Sequence, residues 1–131
     1  MMQLTEHKPG NHHAIRSASS SHVVVDNEHF SSSLIVGARL LEADWPVFDL
    51  ADLNETTLKP LIEHQPELVV LGCGEQARFP PVAIQRLFFE RGIGLECMGL
   101  TAACRTFNVL MSENRRAIAG LILNQTGQDP A

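Results

Sequence analysis

The sequence predicts a single α/β domain. Three features carry this reading: the chain length, an alternation of apolar runs with helical periodicity from residue 54 onward, and a glycine-rich exit, Leu71-Gly72-Cys73-Gly74, from one continuous apolar run. A chain of 131 residues fits one hydrophobic core and leaves little room for a second. At this size folding buries roughly two thirds of the surface the unfolded chain exposes, so neither a metal nor a disulfide staple is required. Apolar residues make up 44% and charged residues 19%, which excludes the composition of a disordered chain.

Each element follows from local pattern. Residues 1–13 are polar and carry Pro9-Gly10, the composition of a disordered tail. From 14 to 45 the chain reads as β: Val23-Val24-Val25, a turn at Asp26-Asn27-Glu28, then Leu34-Ile35-Val36, with Gly37 turning the chain toward 39–42. The serines of this region suit exposed strand ends, since no base is partnered with any of them as a nucleophile would need. Residues 42–55 hold Glu42, Asp44, Asp49, Asp52 and Glu55 with no base between them. They lack the loop spacing of an oxygen-ligand cation cage, and the segment reads as a solvated acidic connection able to meet a basic partner.

Residues 54–65 read as a helix with Leu58, Leu61 and Ile62 on one face. Pro60 fits its first turn if 54–57 supply the cap. Leu68-Val69-Val70-Leu71 is the unbroken apolar run of a strand covered on both faces. Then follow a helix at 82–91, a strand at 93–97, a helix at 100–113 and a strand at 116–123, which implies at least one right-handed βαβ crossover. The domain thus spans 14–124, and 125–131 form a frayed polar tail.

Charge and cysteine usage narrow the function classes. The net charge of −5 and the absence of a basic stripe with interleaved aromatics exclude nucleic acid as a partner. No apolar run reaches the length of a membrane span, and the first residues have neither an apolar signal core nor the basic character of a presequence. Cys73, Cys97 and Cys104 form no C-x-x-C pair. Reduced thiols in the cytoplasm are the expectation. His7, His12 and His13 have no structural zinc spacing, so no metal and no cofactor is expected.

Gly72-Cys73-Gly74-Glu75-Gln76-Ala77 matches the G-x-G-x-x-A dinucleotide pattern after a strand, and Glu96 lies near the place of a ribose-binding acid. In that fingerprint, however, the helix starts inside the glycine motif so that its N–H groups meet the pyrophosphate. Phe79-Pro80-Pro81 keeps this helix from starting before about Pro81, and the glycines then serve backbone geometry. Cys73 has Arg78 nearby but no local histidine, so it reads as a small buried side chain. In the helix at 100–113, Leu100, Ala103, Cys104, Phe107, Leu110 and Met111 share the apolar face, while Thr101, Arg105, Asn108 and Ser112 form a polar stripe. The helix at 82–91 buries Ile84, Leu87 and Phe88, whereas Val82 and Phe89 point the other way, as a partner contact would require.

Together Leu71-Gly72-Cys73-Gly74, Phe79-Pro80-Pro81, Arg91-Gly92-Ile93-Gly94-Leu95-Glu96, Met98, Ala102-Ala103-Cys104-Arg105-Thr106-Phe107-Asn108 and Trp45 resemble an uncharacterised domain family that includes the mitochondrial respiratory complex I assembly factor 3. The resemblance spans about residues 14–124. It implies a three-layer α/β fold with a mixed central sheet, an additional N-terminal β layer, and no established enzymatic activity. The family's glycine pair encloses a threonine where this chain has Cys73, and Asp-Thr follows the methionine where this chain has Gly99-Leu100.

Two functional expectations result. The first is a non-enzymatic protein-interaction or assembly-accessory domain with no catalytic residue, contacting a protein partner through Val82, Phe89 and the acidic 42–55 segment. The second is an anion or nucleotide site between Gly72, Cys73 and Gly74 and the Thr101, Arg105, Asn108 stripe.

Overall fold

A computed structural model describes residues 12–19 and 21–123; the two expected tails lie outside these apart from His12 and His13. Three short strands, β1 (Ile15–Ala18), β2 (Val23–Val25) and β3 (Glu28–Phe30), form an antiparallel sheet in the order β1-β2-β3. The remaining strands are β4 (Leu34–Gly37), β5 (Leu41–Glu42), β6 (Leu68–Cys73), β7 (Gly94–Met98) and β8 (Ala117–Ile122). They form a mixed sheet in the order β5-β4-β8-β6-β7, with β6 parallel to β7 and β8 and β4 antiparallel to its neighbours.

Helices α1 (Glu55–Glu63), α2 (Val82–Glu90) and α3 (Leu100–Ser112) divide between the faces of that sheet. The chain runs outward from β6 through α2 to β7, then back through α3 to β8 on the far side of β6. Right-handed crossovers in opposite directions put their helices on opposite faces. Accordingly Ile84 and Phe88 of α2 pack with Leu58 and Leu61 of α1 against Val69, Leu71, Ile118 and Ile122. On the other face Leu100, Ala103, Phe107 and Met111 of α3 join Ile15, Val23 and Val25 of the small sheet over Val70, Ala119 and Leu121. Every residue of β8 is buried, as expected for the central strand of three layers.

The turn expected at 26–28 is tighter than drawn: Asp26 and Asn27 alone connect β2 to β3, and Glu28 already pairs with Val25. β3 escapes a pattern-based reading because Glu28, His29 and Phe30 are too short and too polar for a period-2 signal. At the N-terminal boundary, His13 is tied to the domain: its N–H donates to the Ala38 carbonyl at 2.9 Å and its Nδ1 lies 2.7 Å from Asp26 Oδ2.

The 42–55 segment differs from the solvated connection its composition predicts. Trp45, Val47, Leu50 and Leu53 are buried, which makes the segment a strap across the α1/α2 face. Two of its acids turn the strap's own backbone and a third reaches back to the residues before β4. Asp49 caps the 3-10 turn Leu50–Asp52, Asp52 accepts from the N–H groups of Phe48 and Asp49, and Asp44 accepts from Ser32 Oγ. The Trp45 indole N–H donates to the Thr57 carbonyl at 2.8 Å, and its ring lies over Gly120, where an added Cβ would come within 2.9 Å of it. Buried Ser33 joins strap and sheet, donating to the Val47 carbonyl at 2.6 Å and accepting from the Leu123 N–H at 2.9 Å.

Asn54 and Thr57 cap α1 reciprocally. Pro60 therefore sits past the first turn, where it deprives the Thr56 carbonyl of its helical donor. Helices α2 and α3 close alike: the Ile93 N–H reaches the Phe88 carbonyl after Gly92, and the Arg115 N–H reaches the Leu110 carbonyl after Asn114. Gly92 and Asn114 both have left-handed backbones, the usual geometry of such a stop.

Asp26 ties the small sheet to the N-terminal segment, and its titration tests that tie. Partial burial opposes ionisation, but hydrogen bonds from His13 and the Ala14 N–H, with the charges of His13 and Arg16, hold its carboxyl below the ordinary 3.8. A carboxyl lowered by folding contributes stability above its unfolded value, which is lost as pH falls through the folded one. Asp26 has a left-handed backbone, φ +55°, and Asp26→Asn preserves tolerance of it. Wild type should therefore be more stable than the variant near neutrality, with the gap shrinking below about pH 4. A gap constant in denaturant titrations from about pH 7 to pH 2 would contradict the assignment.

Candidate functional site

The glycine-rich strand exit is where the sequence concentrates its unusual residues, and its glycines act through space and backbone. Gly72 is the last residue of β6 paired with β7 and faces α3, where an added Cβ would stand 2.5 Å from Ala103 Cβ and 3.3 Å from Leu100 Cα. That is well inside the carbon–carbon optimum of roughly 3.5–4.0 Å, so the missing side chain sets how closely α3 lies on the sheet. Gly74 has φ +69°, which costs a side-chain-bearing residue steric strain. From there the loop folds back onto the start of α3. The Leu100 N–H donates to the Gly74 carbonyl at 2.8 Å, and a Cβ at Gly99 would come within 2.6 Å of the Glu75 carbonyl oxygen.

This closure accounts for the glycine at position 99. At Gly99 the Glu75–Gln76 backbone occupies the space a side chain would need. One of the first N–H groups of α3, otherwise available to an anion, is taken by the loop itself. The helix after the loop starts at Val82 with Pro81 as its cap residue, as the two prolines predict. Its N-terminus is thus eight residues beyond Gly74, away from the place a dinucleotide fingerprint requires.

The six residues expected to form a ligand site fall in different surroundings. Gly72 and Cys73 are buried in β6, and Gly72 meets the apolar face of α3. Thr101 and Arg105 lie on the exposed face of that helix. Asn108 is engaged at β1: its Oδ1 accepts from the Ile15 N–H at 2.9 Å and its Nδ2 donates to the Ile15 carbonyl at 2.7 Å. The side-chain amide thereby pairs like a short strand with the edge of the small sheet and fixes it to α3. None of the six residues lines the cavity of about 820 Å³ or the one of about 470 Å³ that open on the described surface.

The cysteines are unbridged and poorly suited to thiolate chemistry. Burial raises the Cys73 thiol, with Arg78 pulling it down and Asp49 pushing it up. Burial, with Glu96 adding to it, lifts Cys97 to about 11, and burial alone lifts Cys104 to about 12. Reactive cysteines need the reverse shift. Among the described residues no group of three or more His, Cys, Asp or Glu side chains is placed to hold a metal ion, and no helix is long and apolar enough to cross a membrane.

A different surface gathers exposed apolar side chains. Val82 and Phe89, 65% and 83% exposed, stand with Phe79, 68% exposed, around the 470 Å³ groove between α2 and β7. Ile93, Leu95 and Cys97 complete its walls. Among the described residues β7 pairs only with β6, so its outer edge leaves alternate backbone N–H and C=O groups without a strand neighbour there. Phe79 escapes a reading by helical periodicity because it precedes the helix. Its signal is its place before two prolines, which hold the chain extended.

Residues 15–122 match the family described as "Protein of unknown function (DUF498/DUF598)". The chain belongs to this family. Among its relatives, a "13 kDa major membrane protein" of Francisella tularensis is 29% identical over 87 residues, covering 66% of this chain and 71% of that protein. The "NADH dehydrogenase [ubiquinone] 1 alpha subcomplex assembly factor 3" of Drosophila melanogaster is 34% identical over 84 residues, covering 60% of this chain and 42% of the relative. The chain therefore matches less than half the length of that assembly factor. The solution structure of a Xanthomonas campestris protein superposes with a TM-score of 0.82 at 32% identity, covering 98% of both chains. The α/β fold with a mixed sheet is thus the fold of the family, as the motifs imply.

The close approach at Gly72 has a measurable cost when filled. Gly72→Ala should lower stability by about 1–3 kcal/mol, the range for overpacking a tight core, and Ala103→Gly in the same chain should recover part of the loss. Equal destabilisation in the single and double variants, followed by denaturant unfolding, would show that the helix contact is not what requires glycine.

Proposed function

We propose that this chain is a non-enzymatic interaction domain of the assembly-accessory kind, which holds a protein partner through the α2/β7 face. The observation that carries the reading is the cluster of Phe79, Val82 and Phe89 beside an open strand edge. Three large apolar side chains in water around one groove, with an open strand edge alongside, are suited to partner recognition. Apolar anchors supply affinity on burial, and the edge of β7 can register a partner segment by backbone hydrogen bonds.

Relatives named as complex I assembly factors support an assembly role. Those relatives are longer than this chain, so the partner is assigned here by chemistry alone: a protein segment with apolar side chains able to lie along β7. The acidic 42–55 segment has a smaller part than its composition suggests, because Asp44, Asp49 and Asp52 are engaged in shaping the strap. Three unbridged thiols favour a reducing compartment such as the cytoplasm.

Phe89→Glu should abolish recovery of the partner from a native lysate. Val109→Glu, on the exposed face of α3, should leave it intact. Both substitutions are at exposed positions and should change stability by no more than about 0.5 kcal/mol. A photo-reactive side chain at position 82 should crosslink to the same partner. Loss of recovery with both variants, or with neither, would contradict placement of the interface on α2.

A further inference from the structure

The 820 Å³ cavity lies at the end of β6 and β8 opposite the glycine-rich exit, between the β4–β5 turn, the end of α1, the end of α3 and the start of β8, and shares no lining residue with the α2/β7 groove. Its rim carries Arg39, Arg115, Arg116, His12 and His64, and no Asp or Glu is among its lining residues. For a chain with 15 acidic and 10 basic residues, such a single-sign lining is a marked local reversal of charge. Leu40, Met111 and Ile118 supply apolar walls.

Part of this charge has an ordinary explanation. Arg115 lies 2.6 Å from Glu67 and 3.9 Å from Glu113, and a cation after a helix C-terminus offsets the helix dipole. Arg39 and Arg116 are different. They come from the β4–β5 turn and the residue before β8, and neither has a carboxylate within ion-pair distance among the described residues. The Gly37 N–H donates to the Leu40 carbonyl at 2.8 Å, holding Arg39 at the tip of a tight turn. The Glu67 N–H donates to the Arg116 carbonyl at 2.9 Å, fixing the backbone that carries the second guanidinium. His12 Nδ1 lies 2.9 Å from the His13 carbonyl and can donate to it.

We propose that this cavity binds a small organic anion, with a carboxylate or phosphate held by Arg39 and Arg116 and an apolar body against Leu40, Met111 and Ile118. Guanidinium groups recognise both anions through paired N–H donors, and the cavity falls within the roughly 300–1,000 Å³ of small-molecule sites. The inference is independent of the partner face.

The test is titration of the full chain with octanoate and octyl phosphate, followed by amide NMR shifts at Ala38 and Ile118. Octanol serves as the uncharged control and phosphatidylglycerol vesicles as the lipid source of the same anion. The proposal predicts saturable binding of both free anions that weakens with salt and falls about tenfold or more in Arg39→Gln/Arg116→Gln. The Arg39→Lys/Arg116→Lys chain, with the same charge, should retain more of the binding. Spectra away from the cavity report whether each variant is folded, and either single Gln variant should weaken binding if the double one is not. Octanol binding equal to octanoate, unchanged affinity in a folded Gln variant, or binding to vesicles without binding of the free anions would overturn the proposal.

Discussion

The absence of a side chain at Gly72 is the constraint on which the rest of the fold turns. Because no Cβ separates them, β6 and α3 meet at Ala103 and Leu100, and α3 can lie flat over the parallel β6/β8 pair. The same economy of volume recurs on the opposite face, where Gly120 accepts the Trp45 ring. Small residues on adjacent strands thus let a helix and an indole approach the two faces of one sheet. Trp45 then fixes the strap to α1 through the Thr57 carbonyl, and Asn108, farther along α3, fixes β1 through both backbone groups of Ile15.

That arrangement bears directly on function. A glycine-rich turn after a parallel strand is the usual setting of a phosphate cradle, but here its parts are satisfied internally. Gly74 accepts the first amide of α3, and the Glu75 backbone fills the space beside Gly99. The thiol inside the motif is buried and raised above its ordinary value. The surfaces left with unmet chemistry lie elsewhere: apolar side chains beside the edge of β7, and, at the strand ends opposite the glycine-rich exit, the guanidinium groups of Arg39 and Arg116, which have no carboxylate within ion-pair distance among the described residues.

Much of the architecture can be read from residue pattern because its elements are locally consistent. The apolar run 68–71, the proline-delayed start of α2 and the periodicity of α3 each agree with the tertiary fold. Legibility fails where long-range contacts assign the role. Trp45, Val47, Leu50 and Leu53 lie among acids, and only the α1/α2 face they cover makes them core residues. Asn108 reads as part of a polar ligand stripe because its partner, Ile15, is 93 residues away in the chain. Arg39 and Arg116 form no motif at all, since a turn and a strand start bring them to the same cavity.

Amide hydrogen exchange at Leu100 tests the central claim most directly, because its N–H is the group a ligand would take and the Gly74 carbonyl is the partner found. The closed loop predicts protection at Leu100 comparable to that of core amides in β6 and β8, unchanged by added phosphate or nucleotide. Exchange at the rate of an open loop, or protection gained only with such a ligand, would contradict it and return the glycine-rich exit to the role of an anion site.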